Sequence, residues 1–122
     1  VTHATDYPGV SKAKHGDVKL GQGATVTRGV RNHPVVVNRI EQVCKELEIP
    51  LQFEAVSATS GTDADAIFWT RGGIPCGLIS LPNRYMHSPV EVISLQDLEQ
   101  IPKILAGFAL SVKKDDQFKV KI

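Results

Sequence analysis

The stretch LQFEAVSATSGTDADAIFWTRGGIPCGLISLP, residues 51–82, decides the fold. Its opening alternates apolar Leu51, Phe53 and Ala55 with polar Gln52 and Glu54, which predicts a half-buried strand running into the loop SATSG. After Gly61, the segment TDADAIFWTRGG predicts a short helix capped by Thr62 or Asp63 and stopped by the pair Gly72-Gly73. IPCGLISLP is almost wholly apolar, the pattern of a strand covered on both faces. Strand, helix and strand in that order imply a crossover with parallel pairing, and so an α/β sheet.

Working outward, NHPVVVNRIEQVCKELEIP (residues 32–50) places Pro34 at a first helical position and repeats Val36, Ile40, Val43, Cys44 and Leu47 along one helical face. Ile49-Pro50 ends that helix. On the other side, Ser94 with Asp97 three residues on reads as a capping box. Leu98, Ile101, Leu105, Phe108 and Val112 form the apolar stripe of a final helix, which Pro102 should kink. The tail QFKVKI alternates again and could add an edge strand. Near the start, the polar, glycine-rich run GVSKAKHGDVKLGQGATVTRG predicts a loop and then a short strand around Ala24–Arg28. Gly21 and Gly23 lack the third glycine of a dinucleotide-binding loop, so they read as a tight turn. The opening VTHATDYPG alternates like a strand from its first residue, which is the pattern of a chain that starts inside an element and is a piece of a larger domain.

With 122 residues, 42% hydrophobic and 22% charged, the chain has the composition of one globular unit. Fourteen basic against thirteen acidic residues, a formal net charge of +1, provide no field to steer nucleic acid or an anionic membrane. No run of eighteen apolar residues and no basic-then-apolar leader are present, so the expected compartment is the cytoplasm. Cys44 and Cys76 lie far apart in apolar surroundings and read as reduced core thiols.

Ligand crevices of α/β sheets open beyond the carboxyl ends of the strands, and both SATSGTDAD and PNRYMHSP follow strands directly. The two loops could share one cleft. Asp63 and Asp65 stand at the mouth of a helix, where their plain reading is negative charge against the macrodipole. His87 is a loop histidine, a type more often solvated than ligating, but Pro89 and the flanking Tyr85 and Met86 should hold its imidazole in place. His87 and Glu91 have the spacing of helical zinc ligands, yet the β-branched VEVIS run predicts a strand, where residues four apart are too distant to chelate. His3, His15 and His33 show no partner pattern and read as structural or solvated.

VTHATDYPG, GTDAD with GIPCGLISLP behind it, and above all RYMHSPVEV followed by SLQDLEQIPKIL resemble the catalytic domain of the tetrahedral, glutamyl or deblocking aminopeptidases, a family whose members also carry cellulase M or endoglucanase labels. The resemblance runs from Val1 to about Leu110. It implies a three-layer α/β/α fragment, like the dinuclear zinc exopeptidases, with residues 1–122 as the C-terminal half of the catalytic domain. It also implies a cytoplasmic hydrolase that uses two divalent metal ions, zinc or cobalt, to remove N-terminal residues from peptide substrates, and that assembles as a tetrahedral homo-oligomer of twelve subunits. His87 matches a metal ligand of the family. Gly61, Thr62 and Asp63 match a loop lining the substrate cleft. The remaining ligands and the general-base glutamate are expected before Val1, so no catalytic residue falls in this fragment, which is expected to be inactive alone. Two rival readings differ in class. One is a non-catalytic binding or assembly module, with Asp63 only a helix cap. The other is a glycan-active hydrolase, which needs a carboxylate pair across a sugar cleft that Glu54, Asp63, Asp65 and Glu91 do not evidently form.

Overall fold

The computed structural model describes residues 1–29 and 31–118. Among them the chain runs β1 (Thr2–His3), α1 (Lys12–His15), β2 (Ala24–Gly29), α2 (Pro34–Glu46), β3 (Leu51–Val56) and α3 (Ala64–Phe68). It continues through β4 (Ile79–Ser80), β5 (Pro82–Arg84) and β6 (Val92–Ile93) to α4 (Leu95–Ser111). The strands form two sheets of three, ordered β3-β2-β4 and β1-β5-β6. The class is α/β, as the sequence predicts.

The parallel crossover is β2-α2-β3, with six residue pairs in register from Ala24 opposite Leu51 to Gly29 opposite Val56. The expected crossover between β3 and the strand of IPCGLISLP does not form. That run contributes only the two-residue β4, which pairs antiparallel with β2, and then β5, which pairs parallel with β1. Pro75, Gly77 and Pro82 interrupt the apolar run, and a proline cannot donate to a ladder, so one long strand gives way to two short ones in different sheets.

Ala24 and Val26 on β2 turn toward α2 and α4 and build the core with Val36, Val37, Ile40, Cys44 and Ile104. Val37 and Ile104 are core residues outside the stripes predicted from spacing. The expected stripe members Leu47, Leu98, Leu105 and Val112 are instead exposed. Gly107 of α4 faces Val43 and Leu47, where a Cβ would come within 2.6 Å of the Val43 side chain; this bare position lets the two helices approach closely. Burial pushes the Cys44 thiol up to about 11. Both cysteines are free, but only Cys44 is in the core; Cys76, expected there too, is half-buried because its run does not form a covered strand.

Strand alternation in β3 holds in phase but not in which face is dry. Leu51 packs on the core, whereas Phe53 and Ala55 lie exposed beyond the helices, and Arg28 stacks on the Phe53 ring at 4.4 Å. Glu54, expected toward water, is buried, because Thr2 of β1 crosses above it. The run SKAKH, expected as loop, includes the helical turn α1.

Helix α4 continues through Pro102 for seventeen residues. Ser94 caps it, accepting the Asp97 amide at 3.3 Å. The reciprocal half of the box goes elsewhere: fully buried Asp97 accepts the amides of Gly21 at 2.8 Å and Gly23 at 2.9 Å. Gly23 has φ +96, and a Cβ there would lie 2.0 Å from the Pro50 carbonyl oxygen, so the tight turn requires glycine. Of the tail QFKVKI, Phe118 packs against Phe108 with ring centroids 6.3 Å apart; the expected edge strand over residues 119–122 lies outside the described residues.

Asp97 thus joins α4 to the entrance of β2, and its removal leaves two amides without their acceptor. Asp97→Ala should lower unfolding free energy by about 2–4 kcal/mol, against about 1 kcal/mol for Ser94→Ala. Denaturant midpoints of the two variants check this; equal small losses would mean that water replaces the carboxylate.

Candidate functional site

Both loops singled out in the sequence open into one cleft of about 760 Å³ at the carboxyl end of β3. Residues 57–62 form one wall and Met86 with His87 another, while Thr2, His3 and Glu54 line the space between them. This is where an α/β sheet is expected to take a ligand. Gly61, Thr62 and His87 are therefore brought together. Asp63 is exposed at the N-cap of α3, makes no side-chain cap bond and is not part of the lining.

The 57–62 wall is held by Asp65 rather than Asp63. Its carboxylate accepts the amides of Ser60 and Gly61 at 3.0 Å and the Ser60 hydroxyl at 2.9 Å, and Arg31 lies 3.1 Å away. The Ser60 amide is the main reason that the carboxyl group stays below its ordinary value. Asp65 does stand in the first turn of α3, as expected, and its carboxylate serves there as a clasp for the preceding loop.

His87 sits on a turn with two non-glycine residues in the left-handed region, Tyr85 at φ 57 and His87 at φ 67. L-residues adopt this conformation at a cost of about 1 kcal/mol or more, and it persists where neighbours enforce it. Three contacts do so here. Glu91 accepts the His87 amide at 2.6 Å, so the pair spaced like a chelate is instead a backbone clasp. That amide, with help from the Asn83 side chain, lowers the Glu91 carboxyl pKa. Tyr85 stacks on Tyr7 with centroids 4.8 Å apart, and Arg84 forks onto Asp6 at 2.8 and 2.6 Å. The imidazole itself is exposed to the cleft.

His3 and His15, which sequence spacing left without a partner, also line the cleft, with ring centroids 6.3 Å apart and the His3 Nδ1 buried without a hydrogen bond. A strand and a one-turn helix bring them together, a proximity that no spacing rule contains. Among the described residues no group of three His, Cys, Asp or Glu side chains is placed to hold a metal ion. The cleft histidines are not gathered into a ligand set, so the described residues do not by themselves fit a two-metal centre.

Fold and cleft define an α/β protein with a ligand crevice at the carboxyl end of its parallel strands. The M42 glutamyl aminopeptidase family profile matches residues 1–104, and the chain belongs to that family. It is 33% identical over 98 residues to a lysyl aminopeptidase of Pyrococcus furiosus, covering 80% of this chain and 28% of the relative. Among solved structures it is similar to the TET aminopeptidase of a marine sediment Thaumarchaeota archaeon, with TM-score 0.85, 29% identity and coverage of 94% and 32% of the two chains. The solved structure of PhTET1-12s, a dodecamer in the asymmetric unit, matches with TM-score 0.72 and 25% identity over 84% of this chain and 31% of its own. A Thermotoga maritima structure titled as an endoglucanase matches with TM-score 0.59 and 27% identity, over 87% of this chain and 30% of its own. The chain thus spans about a third or less of the length of the relatives it matches.

Hydrogen bonds from Arg84 above all hold the Asp6 carboxyl below its ordinary value. A folded-state pKa below the unfolded one contributes stability above about pH 4, which is lost as pH falls through the folded value. Asp6→Asn should therefore flatten the acid limb of the stability curve. An unchanged limb in urea titrations between about pH 2 and 5 would mean that the fork adds nothing.

Proposed function

We propose that the protein to which this chain belongs is a metal-dependent aminopeptidase that removes N-terminal residues from peptides, with His87 as a metal ligand. The observation that carries the reading is the placement of His87, on a turn held against its backbone preference, opposite Gly61 and Thr62 across one cleft. Family membership supports the chemistry. Residues 1–122 are read as the C-terminal part of the catalytic domain, and the ligands that join His87, together with the general base, belong to the part of the protein outside them. Bound divalent cations, zinc or cobalt, would generate hydroxide near neutral pH and polarise the scissile carbonyl. The chain's own residues orient and confine: Glu91, Asp6 and Tyr7 fix the His87 turn, and Asp65 fixes the wall on which Gly61 and Thr62 meet the peptide, with Asp63 beside them. No helix among the described residues is long and apolar enough to cross a membrane; the proposed location is the cytoplasm. A homo-oligomer, twelve subunits in a tetrahedron, is the proposed assembly, supported by the similarity to a solved dodecamer.

The test uses the full-length protein. His87→Ala should reduce bound metal from two per subunit toward one and cut turnover of aminoacyl-p-nitroanilides by at least about a thousandfold, with circular dichroism near wild type. Two metals and near-normal turnover in that variant would remove His87 as a ligand. Turnover of a β-glucan but of no aminoacyl substrate by the wild type would replace the peptidase reading with the glycan-active one.

A further inference from the structure

Among the described residues, Glu54 is the one carboxylate lining the cleft beside His87. It is 9% exposed. Thr27 donates its hydroxyl to one carboxylate oxygen at 2.6 Å, and Thr2 donates to the other. Among the described residues Glu54 has no ion-pair partner: each Lys or Arg in an ion pair is matched to another carboxylate. Arg28, which also lines the cleft, is engaged by Glu41 at 3.1 Å and by the Phe53 ring. Its register partner on β3 is Ala55, so it belongs to the opposite face of the sheet from Glu54. A carboxylate accepts about four hydrogen bonds. Burying one without a cation is costly, and two neutral hydroxyls offset the cost only in part. Glu54 lines a cleft large enough for a peptide end, and elsewhere the described lining offers the basic side chains Lys14 and Arg28 but no second carboxylate.

We propose that Glu54 is a specificity-determining residue that receives an ammonium group of the substrate, either the N-terminal amine of a peptide or a lysine side chain. The inference rests on the aminopeptidase reading for the identity of the ligand as a peptide. A charged hydrogen bond to a partly dehydrated carboxylate is the interaction best suited to telling a free amine from a blocked one.

The test is calorimetry on the full-length protein after metal removal by chelator, so that an amine cannot bind through a metal. Leucinamide is compared with 4-methylpentanamide and lysinamide with norleucinamide, pairs that differ by one ammonium. The amine should bind at least about tenfold tighter, and Glu54→Gln or Glu54→Asp should abolish or reduce that preference. Preference in the first pair identifies the N-terminal amine as the source, and in the second the lysine side chain. Thr27→Val removes a hydroxyl donor but keeps the charge, and should retain the preference. Its loss there to the same extent would make Glu54 only a bridge between strands and overturn the proposal. Absence of any preference in the wild type overturns it without reference to a variant. Preference without peptide hydrolysis by the metal-loaded protein would sink the aminopeptidase reading alone. Normal hydrolysis with a preference that survives in a folded Glu54 variant would sink this inference alone.

Discussion

The parallel register of β2 on β3 is the constraint from which the rest of the molecule follows. Six consecutive pairs place Val26 opposite Phe53 and Thr27 opposite Glu54, so that the two strands sort their side chains onto common faces. One face takes Ala24, Val26 and Leu51 under α2 and α4. The other takes Thr27 and Glu54, and it becomes the floor of a cleft because β1, a strand of the second sheet, brings Thr2 over it. A slip of β3 by one residue would exchange its faces, putting the Glu54 carboxylate into the core and Leu51 into the cleft. Core and site are two products of one pairing.

The sequence is most legible where the signal is periodic and local. Pro34 at the first helical position, the 36-40-43-44 face of α2 and the Ser94 cap all appear in the structure because helix spacing and capping act over a few residues. It is least legible where partners are distant. The apolar run of residues 74–82 looks like a single buried strand, but Ile79 joins β2 while Pro82 joins β1, and apolarity alone carries no information about which sheet a residue enters. The same limit explains Glu54. Alternation correctly puts it opposite Phe53, but the dry side of β3 depends on a strand fifty-two residues earlier.

The candidate site divides along the same line. That the loops after residues 56 and 84 could meet at one cleft is suggested by the position of crevices in α/β sheets, although the strands before them lie in different sheets. That His87 is presented on a left-handed turn is not, since neither Tyr85 nor His87 is a residue type that favours positive φ strongly enough to predict it. The turn exists because Asp6, Tyr7, Asn83 and Glu91 surround it, and two of those lie about eighty residues away in sequence. Strain of this kind is retained where the surroundings over-determine it, which is a property of the assembled fold.

The acidic residues show how the fold assigns different work to one side-chain type. Asp97 and Asp65 accept backbone amides, Glu91 accepts the amide that shapes the His87 turn, and Asp6 is saturated by a guanidinium and the Leu20 amide. Each is consumed by its local geometry. Glu54 differs in its placement: two neutral hydroxyls anchor it, and it lines the cleft rather than closing a backbone turn. A group that is fixed in place, largely dehydrated and not neutralised can favour an incoming cation strongly, since neither reorganisation nor a competing internal ion pair has to be overcome. That distinction, between carboxylates that hold backbone amides and one that borders the cleft, depends on which distant strand covers each and cannot be read from the spacing of acidic residues along the chain.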